Sequence, residues 1–191
     1  VFKSRFGALW AGVGAVVVAT VAAAPSVADT CAASTTCSTT VTFTVTAGPG
    51  LEITVPDGPI SVGSGAPGST ISGQLGSVTV TDERAALTAT WVAAVSATDF
   101  TTGGGTAAET VPDSEVNYWS GPATATTGTG TFVPGQANAA SAVVLDQVRT
   151  AFSKTTGSGN NAATWNPTIV IDVPAQAVAG TYTGTVSHSV A

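Results

Sequence analysis

The sequence predicts an all-β fold: a two-sheet antiparallel sandwich of immunoglobulin-like, Greek-key type, preceded by a signal-peptide helix. Three observations carry that prediction. Thr supplies 33 of the 191 residues and Gly 22, while charged residues make up 8%. Thr and Gly are poor helix formers, whereas Thr and Val suit a pleated, half-buried surface. Sparse charge with many β-branched residues also argues against a solvated, disordered chain. Apolar and polar residues alternate with period two in several short runs, and Gly- or Pro-containing turns separate the runs.

The first element precedes the domain. Lys3 and Arg5 open the chain without an acid, and an apolar run of about 17 residues follows from Ala8 to Ala24. Pro25-Ser26-Val27-Ala28 then places small residues at the −3 and −1 positions of a signal-peptidase site. A membrane anchor is the competing reading, since the run reaches the lower edge of bilayer-spanning length. The Pro and small residues at its end favour cleavage after Ala28, so residues 1–28 are expected to be a secretory signal. The membrane is met only through that transient segment.

Residues 29–40 form an N-terminal segment with Cys31 and Cys37 around Ala-Ala-Ser-Thr-Thr. An even pair this close in an oxidising exterior predicts one small-loop disulfide. A metal centre needs further soft ligands, and the sole His, His188, stands at the other end of the chain.

Residues 41–191 are the predicted sandwich. Val41-Thr42-Phe43-Thr44-Val45-Thr46 and Leu51-Glu52-Ile53-Thr54-Val55 alternate strictly around Pro49-Gly50, as a hairpin or adjacent strands. Ile60–Val62 reads as a short edge piece, and a Gly63–Ser69 loop leads into a strand over Leu75–Val80. Asp82-Glu83-Arg84 reads as a polar turn before a long strand from Leu87 to Ser96. Val116–Trp119 is a short aromatic strand. Ala123–Phe132 fits either strand or loop, and Ala139–Phe152 reads as extended rather than helical. Thr168–Val173 and Thr181–Val190 close the fold. About nine strands with almost no helix point to a sandwich with Val, Leu, Ile and aromatics inward and Thr outward.

Charge excludes one class of partner. Beyond residue 28 only Arg84, Arg149 and Lys154 oppose eleven acids, a net charge of −8. Such a chain has no basic patch for phosphates, and nucleic acid is not an expected partner. Enzymatic chemistry is not expected either. His188 is the only candidate base and reads as a half-buried or rim imidazole, and no Gly-x-Ser-x-Gly turn accompanies it. The acids read as solvated turn residues, with a loop Ca²⁺ site at Asp113 and Glu115 left open. Gly103-Gly104-Gly105 lacks the Lys-Ser/Thr of a phosphate loop. No cofactor is expected. Trp91 is expected in the core, whereas Trp119 and Trp165 are expected to be partly exposed. They are the binding candidates for a glycan, with packing as their competing role.

The segment Gly73–Arg84 (GQLGSVTVTDER), with Trp91 and Asp99-Phe100 after it, resembles the central part of the WxL-domain surface proteins of Gram-positive bacteria. The ending is similar to that family's C-terminal motif: Trp165-Asn166-Pro167, Val173-Pro174, then Ala179–Val190. The family motif has a Tyr followed by an aliphatic residue, Thr, Trp, any residue and Leu. Tyr182 and Val186 match it; His188 stands at the Trp and Val190 at the Leu, as in a divergent, actinobacterial-like relative. Trp91-Val92-Ala93 does not reproduce the family's first Trp-x-Leu.

The resemblance implies a secreted β-rich domain attached non-covalently to peptidoglycan, with Tyr182, Val186, His188 and Val190 as candidate binding residues. Cell wall or extracellular location, and peptidoglycan or other surface proteins and glycans as partners, follow as expectations. A soluble carbohydrate-binding module is the alternative.

Overall fold

The computed structural model describes residues 31–191; the expected signal helix and its cleavage point lie outside them. The chain divides after Phe43 into two units. In the first, Cys31 and Cys37 form the expected disulfide, with Cα atoms 5.9 Å apart. A turn inside the loop is closed by Thr35 N donating to Ala32 O at 3.1 Å.

The second unit is all-β and antiparallel throughout. Its strands are β1 (Leu51–Thr54), β2 (Thr70–Gln74), β3 (Val78–Asp82), β4 (Trp91–Ala97), β5 (Phe100–Thr101), β6 (Thr110–Val111), β7 (Val116–Trp119), β8 (Ala123–Thr127), β9 (Phe132–Pro134), β10 (Val143–Val144), β11 (Arg149–Lys154), β12 (Asn161–Trp165), β13 (Thr168–Asp172) and β14 (Val186–Val190). Three single-turn 3-10 segments interrupt them, at Ala107–Glu109, Asp113–Glu115 and Ala139–Ser141.

Four sheets result, with orders β1-β3-β12-β8, β10-β7-β13-β2, β14-β4-β11-β9 and the small ribbon β5-β6. The first two are halves of one bent layer. Chain continuity shows this: β2 runs into β3 across Leu75–Ser77, β7 into β8 across Ser120–Pro122, and β12 into β13 across Asn166-Pro167. In both halves the shared strands keep the same order. Strands that switch sheets through a bend are how sandwich corners are built.

The residues at the corner explain it. Pro167 has no N–H for the ladder, and Gly76 (φ +94°) and Gly121 (φ +70°) take left-handed backbone open to few other residues. Leu75 N donates to Pro167 O at 2.9 Å, and Gly76 N donates to Asn166 Oδ1 at 3.2 Å. The corner is thus pinned by one backbone bond and one bond to the Asn166 side chain.

The β14-β4-β11-β9 sheet covers the concave side. Its Trp91, Ala93, Val95, Ala151 and Phe152 join Val78, Val80, Ala163 and Trp165 of one half, and Val116, Tyr118, Ile169 and Ile171 of the other, in one core. Phe152 stacks on Trp165 with centroids 4.9 Å apart and planes 20° off parallel. That geometry adds about 0.5–1.5 kcal/mol to simple burial.

The sandwich, the core place of Trp91 and the strands at Val143–Val144 and from Arg149 on agree with the sequence reading, whereas Ala139–Ser141, expected to be extended, is a single 3-10 turn. Several other local expectations do not agree either. Val41–Thr46 pairs with nothing among the described residues, and β1 pairs with β3 instead. Ile60–Val62 forms no strand, whereas Thr70–Gln74 does, supported by the β13 ladder rather than by its own pattern. Asp82 is not a turn residue: it ends β3 and is wholly buried. The long fourth strand begins at Trp91, and Leu87 lies outside it, exposed. Only the Val186–Val190 part of the closing segment is a strand.

Candidate functional site

The sequence-predicted residues fall into two places on opposite sides of β7. Tyr118 and Trp119 are neighbours, so a strand's alternation sends one inward and the other outward. On the inward side, Trp165 is fully buried, which corrects the expectation that it is partly exposed and available to a glycan. The Asn166-Pro167 that suggested a loop is instead the sheet corner just past its strand.

Trp165 Nε1–H donates to the Tyr118 hydroxyl at 3.3 Å, and Tyr118 Oη lies 3.2 Å from His188 Nε2. An indole can only donate, so the phenol oxygen accepts from Trp165, while the Tyr118–His188 bond takes its direction from the imidazole tautomer. Burial keeps both groups in their neutral forms. It pushes the Tyr118 hydroxyl up, keeping its proton, and it pulls His188 down to about 4, keeping the ring neutral.

His188 therefore faces inward from β14, half-buried, with Val186 and Val190 on the same side and packed against the core. Position 188, where the resembled motif has Trp, is a packing position here. Ser187 and Ser189 alternate to the outer side, away from the imidazole. A hollow of about 90 Å³, lined by Ala94, Ser96, Val148, Ser187 and Ser189, lies on that outer side, across the sheet from the imidazole. Tyr182 is apart from this group, its hydroxyl 2.9 Å from Val178 O and 3.1 Å from Ala108 O. The four motif residues thus do not form one exposed surface.

The acids are mostly engaged in structure. Asp82 accepts from Arg84 Nε and N at Oδ1, and from Arg84 Nη2 and Asn161 Nδ2 at Oδ2, at 2.9–3.1 Å. The Arg84 bonds hold its carboxyl below the usual range, outweighing the opposing effect of burial. Trp91 Nε1 donates to Asn161 Oδ1 at 2.8 Å, extending this network into the core. Glu109 caps the turn at Thr106, whose hydroxyl donates to it at 2.7 Å and lowers its carboxyl. Asp146 pairs with Arg149, and Asp99 accepts from Asp113 N. Among the described residues, no three His, Cys, Asp or Glu side chains gather to hold a metal.

On the outward side of β7 the register assembles a second group of side chains. Trp119, Thr168 and Gln74 form one row across β7, β13 and β2, and Asn117, Val170 and Ser72 form the next. Asp172 and Thr70 form a third. Asp172 accepts from Thr70 Oγ1 at 2.7 Å and from Asn117 Nδ2 at 3.1 Å, which fixes both neighbours. Trp119 is half-buried over Gly121, and its enclosed Nε1–H has no protein acceptor. Of the predicted site residues, Trp119 alone lies on this face. Asn117, Gln74 and Asp172 were not singled out, because they become neighbours only through pairing between distant strands. No family model matches this chain, and neither curated proteins nor solved structures show a significant similarity to it.

Proposed function

We propose that the protein is a secreted cell-surface module that associates non-covalently with the cell wall, holding peptidoglycan glycan on the outer face of β7, β13 and β2. The observation that carries this reading is Trp119. It is a partly open indole on the outer sheet face, in one row with Thr168 and Gln74, with the Asn117 amide in the next row and the fixed carboxylate of Asp172 in the row beyond. An apolar ring on a face that also carries amide and carboxylate groups suits a glycan, which offers a C–H face to the ring and hydroxyls to the polar groups further along. The sparse charge of the face suits an uncharged glycan strand better than a phosphate-bearing polymer.

Retention on purified peptidoglycan tests this. The protein is expected to sediment with the sacculi, and Trp119→Ala is expected to release it by about tenfold, the loss of roughly one good contact. A protein that stays in solution refutes wall binding. Retention on soluble oligosaccharides but not on sacculi replaces it with the carbohydrate-binding alternative. His188→Trp restores the motif residue on the inner side of β14 and is expected to leave retention unchanged. Increased retention moves the binding surface to β14 and overturns the assigned face.

A further inference from the structure

Val41–Thr46 has the pattern of a strand and no strand to pair with. Val41, Phe43 and Val45 are 80%, 87% and 76% exposed, three large apolar side chains at alternate positions of one uncharged segment. Natural proteins leave such segments open only when something covers them. The same chain carries an edge that fits. β8, Ala-Thr-Ala-Thr-Thr, ends its sheet with no charge and no proline, and Thr124–Thr127 are all exposed.

Thr126 is the telling residue. It pairs with Ala163, which is buried on the core side, so Thr126 points to the core side as well, yet it is exposed. The core-facing surface of the sheet runs on at β8 without cover, as it does where a further strand is missing. The other edges are less open or less suited. β1 carries Glu52, β9 ends in Pro134, β10 has two residues, β14 packs beside β1 more closely than β8 does beside β9, and Val62 covers the face of β2 at Gly73.

We propose that Val41–Thr46 of one copy adds as a fifth strand beside β8 of a second copy. Main-chain bonds extend the sheet, and alternate Val, Phe and Val side chains meet the open core-side strip at Thr126. The donor's Thr side chains then lie on the outer side, the side of Ala125 and Thr127. Each copy then offers one donor strand and one acceptor edge, a head-to-tail contact that builds chains of molecules unless it closes into a ring. This inference is independent of the wall reading.

The test uses two variants of the full chain, Phe43→Lys in the donor strand and Thr126→Glu at the acceptor edge. Both positions are exposed, so circular dichroism is expected to match the unaltered protein. Sedimentation of the unaltered protein is expected to show mass rising with concentration. Each variant alone is expected to associate at least about a hundredfold more weakly, because a charge now enters an apolar contact. A one-to-one mixture of the two is expected to give dimers and nothing larger, since the mixture holds one intact donor and one intact acceptor. An unaltered protein that stays monomeric overturns the proposal, including the case in which the segment closes on its own β8. Variants that associate like the unaltered chain, or a mixture that stays monomeric, overturn it too.

Discussion

Truncating Asp82 to Ala removes the acceptor from the most buried polar network of the domain. Four donors lose their partner, yet they do not lose equally. Arg84 is 37% exposed and returns its two guanidinium bonds to water, so little of that ion pair's strength is at stake. Asn161 is buried and its Nδ2 keeps only the link to Gly159 O at 3.2 Å, and the Arg84 N–H is left without its acceptor. Two stranded donors, at about 1–3 kcal/mol each, set the expected loss at about 3 kcal/mol.

That is a large share of a domain stability of about 5–15 kcal/mol. Urea unfolding at neutral pH, followed by Trp fluorescence, should show the midpoint falling by roughly 1–2 M at an unchanged slope. pH supplies the second arm. The folded carboxyl sits below its ordinary 3.8, so its stabilisation is complete above that value and drains away as pH falls through the lower folded value. The gap between the unaltered protein and Asp82→Asn should therefore hold down to about pH 4 and close below it. A loss under about 1 kcal/mol at neutral pH, the range of exposed ion pairs, refutes the assignment of Asp82 as a core acceptor.

Two further outcomes follow from the buried groups. His188 is held neutral in the fold, its value down from 6.5 to about 4, so its contribution is present above pH 6.5 and is lost as pH falls from there toward 4. The loss approaches about 3 kcal/mol at the acid end; His188→Phe should flatten that limb in pH-dependent unfolding, and an unchanged limb rejects the role. Lys154, buried, donates through Nζ to Ala89 O at 2.7 Å and Thr156 O at 2.8 Å over the Phe132 ring. Lys154→Met keeps the apolar stem but strands two carbonyls, and a loss of about 2 kcal/mol is expected in the same urea assay.

The fold class was legible because alternation and turn residues are local signals. β7 and β13 stand almost where their residues place them, and the aliphatic-aromatic pattern of β4 put Trp91 in the core. What was not legible depends on partners. Thr70–Gln74 has a single large apolar residue, Ile71, and becomes a strand because β13 offers it a ladder. Val41–Thr46 has the better pattern and no ladder. Asp82 reads as a turn acid because Glu83 and Arg84 follow it, and only the register with Asn161 reveals that it ends inside. Trp165 reads as loop-borne because Asn166-Pro167 follows, a pair that here bends a sheet rather than ending a strand. The candidate face was partly legible through Trp119. Its polar rim was not, since Asn117 and Asp172 meet across 55 residues of chain.

The bent layer also sets an order of events. β3 lies between β1 and β12, and the Thr79–Thr164 hydroxyl contact joins residues 85 apart. A chain made from its N-terminus holds β2 and β3 long before β12 and β13 exist to join them. Neither half of the layer can be completed until the stretch from Asn161 to Asp172 arrives, and that one stretch then completes both. Long-range pairing of this kind places folding on the slow, millisecond-to-second side of the range for small domains. The chain from Asn161 onward thereby acts as a release signal: until it is available, Val78, Val80 and Ile71 remain exposed to whatever else is near.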